Sequence, residues 1–595
     1  MRFLQHLPVL IILIPLMSAV VIPVIGRVNK FACWIVSCVA LFFSLSGSIY
    51  LLNKVVSTGK VTYHLGGWKP PWGIEYSIDH LNGFVITVIA FIAFVVAFYA
   101  EKSVEHEIEE RKIPAFYSIY MLLITGLMGI VITGDIFNLY VFLEISSLAG
   151  YALVALGKHR NALVASFNYL IFGTIAGTFI LIGIGYIYMQ TGTLNIADLR
   201  ERLPEFYDST VILAAFAFFT VGLCLKVALF PLHFWLPKVY NYSPSVVSSI
   251  MAAVGTKVGL YVMLRVMFTV FKVEFSVENV PIAKILIIIS SIAIVVGSIL
   301  AIAQTKIKLM LAYSSIGQVG YIVLGATLTN QIAMTGSIIH ILNHALMKGS
   351  LFLIVGCLVY KAGIERIDDL EGMGKRMPST MGAFTVSGLS MIGVPLTVGF
   401  VSKWHIAIGA LDAGMWYFVP VLIISSLLTA VYFWRIIEKI YFHEEPGLLH
   451  EDRRVNVNIH WDRREKREAL GDRRINSERR ESRGMRRKNK EDRRRQLKGN
   501  WQPIEQWDEH GRWEVVKKDR RVSEEDRRQF MPDRRSLEGI GRRTRDYNLA
   551  LIKRGEAPWT MLAPTLVLSG ACIFFGIAAK IPVAIAEKAA AMLLR

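Results

Sequence analysis

Runs of about twenty apolar residues recur along this 595-residue chain. Each is long enough to cross ~30 Å of hydrocarbon as a helix. Inside lipid every backbone polar group must be bonded internally, so unbroken apolar runs of this length leave a helical bundle as the available architecture. With 54% hydrophobic residues, the composition excludes a set of soluble domains. The expected fold class is all-α, a polytopic membrane protein of fourteen transmembrane helices. Their cores lie near 7–26, 31–52, 80–100, 115–133, 136–156, 162–190, 209–230, 244–271, 281–303, 307–328, 331–360, 380–410, 416–442 and 561–585. The first run has no clear small-residue cleavage site and leads straight into a second span, so it is read as a helix and not a secretion signal. All five cysteines fall in apolar segments without metal-ligand spacing and are read as small core residues. Between spans 2 and 3, alternation around Val61–His64 predicts a short surface β-hairpin.

Charge is distributed unevenly. Residues 443–556 hold 33 of the 65 lysines and arginines. Without that stretch, loops after odd-numbered spans carry fourteen Lys and Arg and loops after even-numbered spans carry six. The positive-inside bias then places odd loops in the cytoplasm and both termini outside, in a prokaryotic cell membrane. The 443–556 stretch follows span 13 and is expected to be cytoplasmic. It repeats an acid-Arg-Arg unit, as in Asp452-Arg-Arg, Asp462-Arg-Arg and Asp472-Arg-Arg. So few apolar residues cannot build a core, which makes it a flexible or locally helical insertion. A solvated tail is the simplest reading of it, with anionic lipid as an alternative partner. The interspersed acids weigh against nucleic acid.

Several charges stand inside apolar spans, where each costs roughly 2.5–3.5 kcal/mol on insertion scales. Glu144 is nine residues past Asp135, ~13 Å into its span. A carboxylate at that depth needs either a proton or a basic partner, and Lys226, in Leu225-Lys226-Val-Ala-Leu-Phe-Pro231, is the expected partner. A static structural ion pair is the bland alternative. Lys257 sits among small residues that leave room for close helix packing or water, whereas Arg265, eight residues on, is expected to snorkel to the outer end. His340, His344 and Lys348 recur in steps of four, which puts them on one helical face. Histidine titrates near neutral pH and suits a proton wire. A metal is the weaker reading, since no Cys or carboxylate stands nearby in sequence. Lys403 follows Gly393 and Pro395, and Ser314, Ser315 and Gln318 are expected to hold waters between the charges. Pro231 and Pro395 predict helix breaks in spans 7 and 12. Broken helices survive at membrane depth where the freed backbone faces protein or water, and they recur at transport sites.

The Glu144 span, Lys226-Val-Ala-Leu-Phe-Pro-Leu-His-Phe-Trp-Leu-Pro237, Leu311-Ala-Tyr-Ser-Ser-Ile-Gly-Gln318, the His340 ladder and Gly399-Phe-Val-Ser-Lys403 together resemble the antiporter-like membrane subunits. That family is shared by Mrp-type cation/proton antiporters, respiratory complex I and membrane-bound hydrogenases. The segment Gly134–Glu144 is most similar to the Mrp D subunits. The resemblance covers about 70–442 and the last span, and it implies two inverted five-helix repeats, about 115–271 and 281–442, with broken helices 7 and 12. It also implies roles. Glu144 and Lys226 would control one half-channel, Lys257 or the ladder would connect, and Lys403 would be the exit group. The long insertion departs from the family pattern.

The domain plan expected is thus spans 1–13 within 1–442, the insertion at 443–556, and the last span with the C-terminus at 557–595. No Fe–S, flavin or nucleotide motif is present, so no cofactor and no catalytic or redox site is expected. The reading is a proton-translocating subunit working with other membrane subunits, with Na⁺ or K⁺ as possible further ions. The rivals are Mrp-type exchange, redox-driven pumping, and a non-conducting scaffold.

Overall fold

The computed structural model describes residues 2–443 and 555–594. The reading of the insertion as flexible falls on residues outside these. Thirteen of the described helices are long and apolar enough to cross a membrane. The fourteenth crossing, span 12, is split into Pro378–Ile392 and Val398–Asp412. The predicted β-hairpin is present: β1 (Val61–His64) pairs antiparallel with β2 (Glu75–Ile78), Val61 opposite Ile78.

Five spans, 4 to 8, are followed by five more, 9 to 13. An odd number of crossings returns the chain on the opposite side, so the second run is inverted relative to the first. The members match in order. Span 4 (Ile113–Ile132) corresponds to span 9 (Ile282–Ile302), and span 5 (Ile136–Ala155) to span 10 (Ile307–Thr327). Spans 6 (Arg160–Thr191) and 11 (Gln331–Ala362) are both 32 residues long, and the fourth member of each run is broken. A glycine closes the first contact in both. A Cβ on Gly126 would lie 2.7 Å from the Ser146 nitrogen, and one on Gly297 would lie 2.7 Å from the Gly317 nitrogen. Any side chain at either position forces the two helices apart.

Burial sorts the spans. In the most apolar window of span 11 every residue is buried, against 33% in span 1 (Leu7–Ile25). Spans 8 (Ser245–Val270) and 10 are nearly as enclosed. Outward-facing Val20, Phe42, Leu163, Ile288 and Leu427 are exposed, the apolar rim that lipid requires. Lys257 and the His340 ladder lie on the most enclosed helices, whereas Glu144 and Lys226 stand on spans whose windows are 50% and 56% buried.

Two expectations are corrected. The last span does not run to 585. It covers Trp559–Ile577, and a separate helix, Lys580–Leu593, begins after a break at Ala578 and Ala579. Pro582, near the start of that second helix, has no N–H to continue an earlier ladder. Arg265 does not snorkel. It is buried, and its Nη2 donates to both Asp79 oxygens at 2.6 and 2.5 Å.

Candidate functional site

Asp135 opens span 5 by accepting the Asn138 N–H at 2.7 Å. Nine residues on, a Glu144 carboxylate oxygen lies 3.7 Å from the Lys226 ammonium. Lys226 also donates to Ser147 Oγ, one turn beyond Glu144, at 2.7 Å. The space for the carboxylate exists because Gly177, on span 6, faces it without a side chain. Lys226 occupies the last turn of the first half of span 7, Thr210–Val227. Ala228 takes the left-handed conformation there (φ +57°), the chain runs irregularly to Trp235, and the short helix Leu236–Tyr242 follows. Trp235 Nε1 donates to the freed Leu225 carbonyl at 3.0 Å, which closes the break. Pro231 lies inside it, in a cis peptide.

A cavity of ≈ 50 Å³ leads inward from this pair, lined by Ser146, Ser147, Tyr169, Lys226 and Thr256. That is room for water among polar partners. Thr256 Oγ1 on its far side accepts from Lys257 at 3.3 Å. Lys257 follows a π-helical turn, Met251–Gly255, and its ammonium bonds back to the Ala252 carbonyl in that turn. Such turns widen a helix locally and recur at functional sites.

On span 11 the His340 and His344 rings stack with centroids 6.0 Å apart, 24° from parallel. His340 is held on both ring nitrogens, by Ser402 Oγ at 2.8 Å and Gln318 Oε1 at 2.9 Å. Both ring nitrogens of His344 are buried without a hydrogen-bond partner. That ring lies in the fields of Lys257, Lys348 and His340, and His340 lies in those of Lys403 and Lys257. Lys348 donates to Ser314 Oγ at 2.5 Å and to the Leu311 carbonyl at 2.7 Å. Lys403 reaches back across the second break to the Met391 and Ile392 carbonyls, at 3.0 and 2.9 Å, and to Ser426 Oγ at 3.1 Å. Those carbonyls end the first half of span 12, where Gly393 has φ +92° and Pro395 lies in the break. The Tyr321 ring stands 5.0 Å from the same ammonium.

The structure thus puts Glu144 with Lys226, stacks His340 on His344, and places Lys257 and Lys403 to either side of that stack. Ser314 and Gln318 touch the ladder directly, while Ser315 bonds only within its own helix. Sequence reasoning missed Ser147, Thr256, Ser402, Tyr321 and Asn343, whose Nδ2 donates to Ser402 Oγ at 3.0 Å. Ser146-Ser147 repeats the Ser314-Ser315 pair, and that repetition was a readable signal. Among the described residues no carboxylate pairs with Lys257, Lys348 or Lys403, and no cluster of His, Cys, Asp and Glu forms a metal site.

An inverted pair of five-span units, each with a broken fourth helix, defines a polytopic membrane transport subunit. Comparison with known proteins agrees. The family model described as NADH:quinone oxidoreductase/Mrp antiporter, transmembrane, matches residues 133–429. NADH-quinone oxidoreductase subunit N of Desulforudis audaxviator is 46% identical over 442 residues, 74% of this chain and 87% of that one. The D subunit of the Na(+)/H(+) antiporter of Bacillus subtilis is 31% identical over 437 residues, 73% and 87%. A chain of the Mrp complex from Dietzia sp. superposes with a TM-score of 0.75 at 22% identity over 100% of this chain and 98% of that one, a likeness of fold. The chain belongs to the NADH:quinone oxidoreductase/Mrp antiporter transmembrane family.

Proposed function

We propose that this chain is the proton-translocating subunit of a multi-subunit membrane complex, of the kind represented by the Mrp D subunits. The observation that carries the reading is the enclosed series of titratable side chains linking the two broken spans. In this reading Glu144 and Lys226 form the entry pair, whose separation changes the lysine's hold on its proton. Lys257 receives through Thr256 and the small cavity, and His344, free on both nitrogens, passes charge among Lys257, Lys348 and His340. Lys403 is the exit group. A buried histidine between lysines is suited to relaying protons one at a time. The energy source is a cation gradient, Na⁺ or K⁺ moving through partner subunits.

A second reading, redox-driven pumping, is favoured by one observation: the 46% identical relative is named a subunit of an NADH-quinone oxidoreductase. The two share the relay and differ in the neighbouring subunits. We place odd-numbered loops and the 443–556 insertion on the cytoplasmic side and both termini outside. The insertion is proposed as a solvated tail, with anionic lipid as the alternative partner, and the repeats as 115–271 and 281–442.

The test replaces Glu144 and Lys226 by alanine in the assembled complex. Proton movement into vesicles should fall by at least about ten-fold, with co-purification of partners unchanged. Normal transport in both variants would leave a scaffold role.

A further inference from the structure

Span 8 carries Lys257, Tyr261 and Arg265 in steps of four, one face of the regular segment Thr256–Arg265. The site described above uses only the first. Arg265 Nε donates to Tyr261 Oη at 3.1 Å, and Tyr261 Oη donates to the Val131 carbonyl at 2.9 Å. Arg265 Nη2 grips the Asp79 carboxylate, which is itself fixed by capping span 3 (His80–Glu107) through the Leu81 and Asn82 N–H groups at 2.9 and 3.1 Å. Both charges are buried. Outside them lies a cavity of ≈ 430 Å³ on the hairpin face, into which Lys60, Glu75, Asp79, Arg200, Glu201 and Arg265 project. The three bases and three acids among its lining residues balance in charge, which suits water and favours neither sign of ion.

The geometry points to a second aqueous mouth, on the hairpin face, that leads to Lys257 and is closed by the Asp79–Arg265 ion pair over Tyr261. Two turns of helix, ~12 Å, separate Arg265 from Lys257. Tyr261 fills that interval with a hydroxyl that both accepts and donates. A buried ion pair is poor evidence of stabilisation, because desolvation offsets its attraction. As a gate it would take two arrangements. Closed, Arg265 lies on Asp79; open, it swings into the cavity beside Glu75 or Glu201 while Asp79 keeps its cap. The mouth would give Lys257 access to the hairpin side directly, without passage through Lys403. This inference rests on the proposed relay, since it supplies Lys257 with a route.

The test uses the intact complex in sealed vesicles. Thr269, which lines the cavity, is replaced by cysteine, and a charged, membrane-impermeant thiosulfonate is added to the hairpin face. Modification is expected, and in a Lys403→Met background, where the mouth is the remaining exit, it slows proton movement at least about ten-fold; the chain without Thr269→Cys controls for the native cysteines, and a Lys403→Met chain that moves no protons before modification also overturns the mouth. No modification, or modification with unchanged transport, overturns the mouth. The double variant Asp79→Leu with Arg265→Met keeps the volume apolar and seals the pair. In the Lys403→Met background it should assemble and lose the remaining transport, and undiminished transport there would overturn the gate. Glu144→Ala separates the two claims. If it abolishes transport while the modified Thr269→Cys, Lys403→Met chain still conducts, the relay stands and the mouth falls; if it conducts normally, the relay reading fails.

Discussion

The two breaks hold their lysines by different means. At span 7 the Lys226 ammonium faces a carboxylate on another helix, with a serine hydroxyl as second partner. At span 12 the Lys403 ammonium faces two carbonyls that end a half-helix, a serine hydroxyl and an aromatic ring. The residue of span 10 that aligns with Glu144, two before the serine pair, is Ala312. An ion pair between helices loses most of its attraction when the helices part. Carbonyls at a helix C-terminus carry only partial negative charge, and they stay attached to the break itself. The first site is therefore suited to switching, and the second to holding a fixed position.

Removing each lysine should expose that difference most strongly. Lys226→Met strands Glu144, half-buried, beside an apolar chain. Loss of one partner of a fully buried pair costs about 3–5 kcal/mol, and partial exposure reduces this to about 2 kcal/mol. Lys403→Met leaves no full charge behind and should cost less. Thermal unfolding of the purified complex reads the gap, and adding Glu144→Gln to Lys226→Met should close it. Equal losses in the two single variants would break the distinction.

Next in size is Gly393→Ala. Its φ of +92° is unfavourable for a residue with a Cβ, and that Cβ would lie 3.1 Å from Lys403 Cδ. The expected cost is about 1–2 kcal/mol, with Lys403 displaced and transport reduced. The first break already tolerates an alanine at its left-handed position, Ala228.

Tyr321→Leu removes the ring from Lys403 and should cost about 1 kcal/mol. No equivalent aromatic contact stands at Lys226 among the described residues, so a matching loss there is not expected from any single ring removal. Binding of a proton at Lys403 should weaken with little change in fold, seen as a shifted pH profile of transport.

The smallest effect lies outside the membrane. Asp368, in the loop after span 11, is held below the usual carboxylate range by its 2.9 Å hydrogen bond to Lys439. A carboxylate depressed in the folded state stabilises above its unfolded value, near ~3.9, and that stability is lost as pH falls through the folded value. Asp368 is mostly exposed, so Lys439→Met should cost under about 1 kcal/mol. Its effect should vanish as pH falls through the folded value, measured as convergence of the acid-unfolding curves. A loss as large as that at Lys226 would erase the contrast between buried and surface pairs.

The architecture was legible because lipid imposes a simple rule on it. Apolar runs marked the spans, two prolines beside lysines marked the broken helices, and the Val61–His64 alternation marked the hairpin. The site was legible only as far as side chains signal themselves. Glu144, Lys226 and the ladder stood out as charges where none is cheap. The grip on Lys403 did not, because its partners are backbone carbonyls that any sequence carries. Asp79 and Arg265 lie 186 residues apart, each readable alone as a helix cap or a snorkelling base, and only the fold joins them. The overlong last span failed for a related reason: the residues around Ala578 remain apolar through the turn, so hydropathy alone records no end.

The count of five has an evolutionary consequence. A unit of odd parity, copied once in tandem, is delivered upside down without any further rearrangement of the gene. Whatever face such a module opened to one compartment, a tandem copy of it would open to the other. Divergence then had only to specialise them, and the alanine now standing at 312, opposite the acid kept at 144, is what that specialisation would leave behind.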